Sequence, residues 1–490
     1  MLKQDVIIVG SGISGIATSI RLACKGYRVR VMEANSYPGG KLSSFSIGDF
    51  RFDSGPSLFT MPQFVEELFA LAGKDPKAYF EYVKKEIVCN YFYEDGTRFS
   101  AHANSDKFVK ESAAVFDVDE CDVRAYLSKS KQKYDLTSSI FLEKSLHQLK
   151  SYLNTATIKA IIKINSLDIN KTLHEVNTSL FSDSRLVQLF DRYATYNGSS
   201  PYLTPGIMSM IPHLEQHYGT FFPKGGMQSI TNSLYQLAQE LGVYFEFNQK
   251  VEEIIVENKV VKGVRIGDKE YFSSMVVSNA DVVPTYRYLL KKQKAPEKIL
   301  TQERSSSALI FYWGINRTFD ELDLHNIFFT RDYKKEFSSI FEDKTVGVDP
   351  TVYINITSKN ELTDAPDGCE NWFVMINVPS NEGQDWDRIV VDARSNIQKK
   401  LSRILNVALE DCIVCEEILD PRSIESKTQS YQGALYGASS NNKYAAFLRH
   451  PNFTRNIKGL YFCGGSVHPG GGIPLCLLSA KIVADLIPNK

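Results

Sequence analysis

The chain has 490 residues, enough for roughly two to four structural units rather than one small core. Its 56 basic and 57 acidic side chains give a net charge of −1, and 43% hydrophobic against 23% charged residues is an ordinary globular balance. Near-neutrality argues against a nucleic-acid partner, and no run of about 18 uncharged apolar residues offers a spanning helix.

In chain order, Lys3 followed by Val6-Ile-Ile-Val9 faintly resembles a signal peptide, but glycines break the apolar run. Val6 to Val9 reads instead as a buried parallel strand, Gly10 to Gly15 as a turn, and Ile16 to Lys25 as a helix stopped at Gly26. Val29 to Met32 is the next strand, completing a βαβ unit. Residues 80–99 look β-rich, with a hairpin turn at Glu94-Asp95-Gly96-Thr97. Residues 110–200 read as helical, and Pro201, Pro205, Pro212 and Pro223 then punctuate a loop-rich stretch. A helix over Ser229 to Gly242 precedes strands near 243–256, 260–266 and 271–277. Further strands are Ser307 to Gly314, Val352 to Ile356 and Trp372 to Val378, with a helix near 387–405. The eight cysteines form no framework, and Cys412-Ile-Val-Cys415 is a lone CxxC without a second ligand pair, so no metal site is expected. A reducing cytoplasmic compartment fits them.

Gly10-Ser11-Gly12-Ile13-Ser14-Gly15 follows a strand and opens a helix, the arrangement that brings a helix N-terminus against a pyrophosphate. Glu33-Ala34 ends the second strand about 20 residues on, where a carboxylate can accept from ribose hydroxyls. Glu33 suits NAD or FAD. Pro38-Gly39-Gly40-Lys41-Leu42 adds a second backbone approach to an extended cofactor, with Lys41 either near the pyrophosphate or simply solvated. At the far end, Leu460 to Cys463 is a strand, Gly464-Gly465 offers another close approach, and Gly472-Ile473-Pro474 opens a final helix. That helix N-terminus suits the charge of a reduced flavin. His468 in the same run reads equally as a base or as part of a tight turn. A dinucleotide fold that begins at one chain end and is completed at the other makes the middle an insertion.

The fingerprint around Gly39-Gly40-Lys41 resembles that of the flavin-containing amine oxidase and phytoene desaturase superfamily. The run Gly464-Gly-Ser-Val-His468-Pro469-Gly-Gly-Gly472-Ile-Pro474 resembles the bacterial-type carotenoid desaturases more closely. Phe221-Phe-Pro223-Lys224-Gly225-Gly226-Met227, the segment Phe190 to Tyr202 and Asp53-Ser-Gly55-Pro56-Ser57 agree, and the texture is nearest the 1′-hydroxycarotenoid 3,4-desaturase branch. The resemblance implies an α/β fold. Its Rossmann-like FAD-binding domain is discontinuous (1–75, 225–295 and 440–490), with a mixed-sheet substrate domain (76–110 and 296–439) and a helical lid (111–224). It implies FAD, a long apolar polyene, and C=C insertion by hydride loss to the flavin. Gly55, Pro56, Ser57, the Val251 backbone, Asn279 and Ala280 join the cofactor set by the same resemblance, although bare core strands would look alike at Val251 and Val276 to Asp281.

Arg192 and Tyr196 are the candidate catalytic groups, lining the channel or assisting proton removal, with Arg192 alternatively paired to Asp191 or another acid. Tyr218, Phe221 and Phe222 are candidate tunnel walls, or ordinary core aromatics. A bilayer-resident carotenoid substrate implies peripheral contact with the inner face of the cell membrane. Ser139 to Asp168, with Ile140, Phe141 and Leu149 interleaved with Lys144, Lys150 and Lys159, suits an interfacial amphipathic pair or a surface helix. Quinone or O2 is the expected electron acceptor. Phytoene or diapophytoene desaturation and carotenoid isomerisation or oxidation are the neighbouring readings. Amine or protoporphyrinogen oxidation, or carotenoid binding without catalysis, are the distant ones.

Overall fold

A computed structural model describes residues 5–138, 142–147, 164–442 and 448–490. Most of the amphipathic segment from Ser139 to Asp168, including Ile140, Phe141, Leu149, Lys150 and Lys159, lies outside these.

A five-stranded parallel sheet organises the cofactor half. Its strands run in the spatial order Leu460–Phe462, Val276–Ser278, Val6–Val9 (β1), Val29–Met32 (β2) and Tyr244–Glu246. All neighbours pair in parallel. β1 is wholly apolar because both faces are covered. Val6 and Ile8 pack among helices Ile13–Cys24 (α1), Gln228–Glu240 and Ile473–Leu486. Ile7 and Val9 pack toward a three-stranded antiparallel sheet with Ile254, Val261 and Val264.

Two strand expectations are corrected. The stretch 243–256 is not one strand: Tyr244–Glu246 edges the parallel sheet while Glu253–Glu257 belongs to the antiparallel one. Asn248 takes φ 56° between them, and Gln249 N–H donates to the Glu33 carbonyl. Likewise 271–277 divides into Lys269–Phe272 and Val276–Ser278, because Ser273 turns the chain by binding the Met275 N–H and carbonyl. The proline-rich stretch is more ordered than the loops predicted there, with helical turns at Gly206–Met210 and Leu214–Tyr218.

A seven-stranded mixed sheet forms the other half, ordered Ile413–Leu419, Ser307–Ile315, Glu370–Val378, Val352–Ile356, His325–Phe328, Ile87–Phe92 and Arg98–His102. Its period-two pattern sets its two faces. Leu309, Phe311 and Trp313 pack on helix Trp386–Leu405. Ala308, Ile310 and Tyr312 face the opposite way, with Phe50, Phe52 and Phe373. That second face roofs the functional site.

One buried acid lies on the helix Tyr333–Phe341. The Glu336 carboxyl accepts from Thr351 N–H (3.0 Å) and the Thr351 hydroxyl (2.7 Å), and burial pushes its pKa up from 4.5 to about 7. The folded state thus holds a proton the unfolded chain releases. Stability falls as pH rises from about 4.5 to about 7 and is level beyond. Glu336→Gln copies the protonated form and removes that decline. It should stabilise the protein by up to about 3 kcal/mol at pH 8, the gain shrinking toward pH 5. Urea midpoints at the two pH values check this, and a variant weaker than wild type at pH 8 refutes it.

Candidate active site

A cavity of about 1690 Å³ lies between the carboxyl ends of the parallel strands and the Ala308–Tyr312 face of the mixed sheet. A crevice at the carboxyl ends of parallel strands is where open α/β sheets bind ligands. The two halves of the wall differ: backbone-rich glycine loops on one side, and Ile310, Tyr312, Phe373 and Met375 on the other.

The first glycine loop explains its own residues. Gly10 takes φ 95°, and its N–H donates to the Met32 carbonyl, tying β1 to β2. Gly12 caps α1 and bridges to Gly39, whose N–H donates to the Ser11 carbonyl. Gly10, Gly12, Ile13, Ser14, Glu33, Ala34, Gly39, Gly40, Lys41 and Leu42 all line the cavity. Ser11 and Gly15 do not. Ser11 instead holds the carboxylate: Glu33 Oε2 accepts from Ser11 N–H (2.7 Å) and Oγ–H (2.8 Å), and Oε1 accepts from Asn35 N–H (2.8 Å). Gly15 lets α1 cross β1, since a Cβ there would lie 2.3 Å from the Gly10 carbonyl oxygen.

Gly55, Pro56, Ser57, Val251, Asn279 and Ala280 line the same cavity. A Cβ at Gly55 would sit 2.0 Å from the Lys41 carbonyl oxygen, so these two loops touch through backbone. Lys41 is not solvated: its Nζ donates to the Leu435 carbonyl (3.1 Å), and burial pushes its pKa down while Asp281 pulls it back. Burial raises the Asp281 carboxyl, which also caps the short helix Val282–Pro284. Asp281 was missed as a site residue. Only its place after Asn279-Ala280 signalled it, because no sequence spacing links it to Lys41.

From the far chain end, Gly464, Gly465, Gly472, Ile473 and Pro474 line the cavity. Gly472 takes φ 100° before helix Ile473–Leu486, and no atom lies within 4 Å of where its Cβ would be. His468 stands in the wall behind. Its Nε2 lies 2.9 Å from the Lys144 carbonyl, burial pushes its pKa down to about 4, and its peptide bond to Pro469 is cis. The turn reading of His468 fits this placement.

Arg192 and Tyr196 line the cavity on its helical side. The acid paired with Arg192 is Glu215 (Nη2 to Oε2, 3.1 Å) and not Asp191, which binds His174 (2.7 Å) and Asn177 (2.8 Å). Tyr218, Phe221 and Phe222 are not among the lining residues, which fits the core-aromatic reading and not the tunnel wall. Tyr218 packs edge-on to Tyr134 (5.9 Å) and Phe221 to Tyr82 (5.2 Å), so their rings fill contacts between elements.

These features fit FAD. Two helix N-termini, at Ile13 and Ile473, open on the cavity with their free N–H groups and positive dipole ends. Glycines stand where side chains would collide, and the Lys41 ammonium matches an anion. The volume exceeds the roughly 300–1,000 Å³ of a single small-ligand site, leaving room for a second, elongated molecule. Among the described residues, no group of three or more His, Cys, Asp or Glu could hold a metal, and no helix is long and apolar enough to cross a membrane.

Known proteins agree with this geometry. The model of the flavin containing amine oxidoreductases matches residues 13–298. The chain is 56% identical over 486 residues to a 1-hydroxycarotenoid 3,4-desaturase of Flavobacterium sp., covering 99% of each chain. It is 30% identical to a 4,4'-diapolycopene oxygenase of Methylomonas sp, covering 99% of this chain and 98% of that one. A solved oxidoreductase from Methanosarcina mazei superposes with a TM-score of 0.64 at 16% identity, covering 98% of this chain and 100% of that one. The chain therefore belongs to the flavin-containing amine oxidoreductase family, on the branch that holds the carotenoid desaturases, and is an FAD-dependent oxidoreductase.

Proposed function

We propose that the protein inserts a C=C bond into a long carotenoid carrying a hydroxyl group, the 3,4-desaturation of a 1-hydroxycarotenoid. The observation that carries this is full-length, 56% identity to a protein of that activity. An apolar chamber continuous with the glycine loops supports it. FAD, when bound, supplies the acceptor for a hydride leaving a C–H bond weakened by the adjoining polyene.

The protein's own part is placement and exclusion of water. Ile310, Tyr312, Phe373 and Met375 give the polyene a dry wall, and Gly464 to Pro474 present backbone at the opposite edge. The cofactor residues are those lining the glycine-loop side, with Ser11 and Gly15 acting through Glu33 and α1. The domain limits read from the sequence remain our proposal, as do peripheral attachment to the inner face of the cell membrane and a quinone or O2 as terminal acceptor.

The test is direct. FAD-loaded protein is offered phytoene and a 1-hydroxylated carotenoid in liposomes, and the products are separated by chromatography. Desaturation of the hydroxylated polyene is expected. Turnover of phytoene alone, or a product that has gained oxygen, overturns the reading.

A further inference from the structure

A hydrogen-bonded chain of side chains runs along the cavity wall. Ser57, Tyr353 and His325 all line the cavity. Ser57 Oγ lies 2.9 Å from the Tyr353 hydroxyl, and that hydroxyl lies 2.8 Å from His325 Nδ1. Asn355 Nδ2 approaches the same Nδ1 at 3.2 Å and donates to the Leu324 carbonyl at 2.9 Å. Tyr353, His325 and Asn355 stand outside the cofactor set, and Ser57, placed in that set by resemblance, has its hydroxyl bonded to Tyr353 rather than to a glycine loop.

The direction of the protons follows from the buried end. A carbonyl only accepts, so the Asn355 group facing Leu324 is its NH2. The second hydrogen of that NH2 faces His325 Nδ1, which must therefore be an acceptor. Burial pushes the His325 pKa down to about 3, so the ring is neutral and carries its one proton on Nε2. Tyr353, the nearer of the two at 2.8 Å, is then the main donor to the one Nδ1 lone pair, which Asn355 shares at 3.2 Å. With its hydrogen engaged there, the Tyr353 oxygen accepts from Ser57. Ser57 has no hydrogen left to give, and its Oγ can offer the cavity only lone pairs. His325 cannot serve as a base, since Nδ1 is occupied and Nε2 is already protonated.

We infer that Ser57 Oγ accepts a hydrogen bond from the hydroxyl group of the substrate, so that the Ser57–Tyr353–His325 chain selects a polyene alcohol over its hydrocarbon and its ether. This rests on the proposed function and names the group that sets its specificity. The position suits it. In a substrate hydroxylated at C1 and desaturated at C3–C4, the hydroxyl carbon is two bonds from a carbon that loses hydrogen. Its receptor therefore belongs beside the cofactor loops, and Ser57 lies next to Gly55, whose backbone packs on Lys41. An ether or hydrocarbon brings no hydrogen and would leave a buried acceptor unsatisfied.

FAD-loaded full-length protein is given a 1-hydroxylated carotenoid, its methyl ether and its non-hydroxylated parent in competition. Wild type should prefer the alcohol over both by on the order of tenfold in kcat/KM. Tyr353→Phe should bring the ratio to the ether toward one with flavin content at the wild-type level, and Ser57→Ala should remove the preference over both. Ser57→Thr, which keeps an acceptor, should restore it. An unchanged ratio in both variants overturns the inference, as does an ether accepted as well as the alcohol, or loss of flavin on removing the Ser57 hydroxyl. A wild type that desaturates none of the three overturns the proposed function itself. If Ser57→Ala fails to fold, Tyr353→Phe decides through the alcohol-to-ether ratio, because it leaves Ser57 in place and frees its hydrogen for an ether oxygen.

Discussion

Gly15→Val should yield a protein that purifies without its flavin. The position has an ordinary helical backbone, so the effect is purely one of space. A Cβ at Gly15 meets the Gly10 carbonyl oxygen at 2.3 Å and Asn279 Oδ1 at 2.9 Å. The first of these is backbone and cannot swing aside, and valine adds two methyl groups beyond it. The helix must move off β1, yet every residue from Ile13 to Leu22 is buried. What yields is the contact between the α1 N-terminus and the cofactor crevice, where N–H groups and dipole act over about one turn. A fall in FAD affinity on the order of a hundredfold, about 3 kcal/mol, is expected. Flavin absorbance of the purified variant and titration with FAD measure it. Gly347→Ala is the matched control: its Cβ would have its nearest neighbour 4.0 Å away, at Ser339 Oγ, and the flavin should be retained. Wild-type FAD affinity in Gly15→Val would falsify the role given to this crossing.

That prediction could be framed from the sequence alone, and the reason is physical. The glycine loop is a local device: strand, turn, helix and Glu33 lie within one βαβ unit, so spacing along the chain fixes spacing in space. The same holds for Gly472-Ile473-Pro474, where a turn glycine and a proline in the first helical turn mark the start of the last helix. The parallel sheet was legible because β1 and Leu460–Phe462 are short apolar runs, each followed by a glycine turn that leads into a helix. What was not legible depends on side chains brought together from distant segments. Lys41 with Asp281, Arg192 with Glu215, and Ser57 with Tyr353 and His325 have no periodicity relating their numbers. Tyr218, Phe221 and Phe222 show the opposite limit, since their sequence left tunnel wall and core packing both open and the structure fits the core reading. Aromatic residues near a glycine motif look like a tunnel wall, but an aromatic ring buries as much area between two strands as beside a ligand. Asn248 shows the limit for strands: one residue with positive φ divides an apolar stretch between two sheets, and asparagine tolerates that conformation without announcing it.

Arg192→Met should cost about 3–5 kcal/mol of stability, because it leaves a carboxylate buried without its cation. Glu215 is 2% exposed and accepts from Arg192 Nη2 and from the Tyr193 hydroxyl. Burial works against the Arg192 charge, but Tyr91, Glu215 and Tyr193 outweigh it and hold the guanidinium firmly protonated. Its central carbon lies 4.5 Å from the ring centre of Tyr193, 5.4 Å from Tyr91 and 5.6 Å from Tyr196, so cation–π contacts add to the ion pair. Met fills a similar length without charge. The single substitution therefore isolates the orphaned acid. Adding Glu215→Leu removes that acid, and because an apolar pair of similar volume often matches a buried ion pair, most of the lost stability should return. Urea unfolding of wild type, single and double variants gives the cycle. This separates two roles that the position of Arg192 alone confuses. If the double variant is stable and still desaturates, the pair is structural and Tyr196 lines the cavity without it. If the double variant is stable, retains FAD and is inactive, the charge itself acts on the bound substrate. A single-variant cost below about 1 kcal/mol would show that Glu215 reaches water and that the pair behaves as an exposed one.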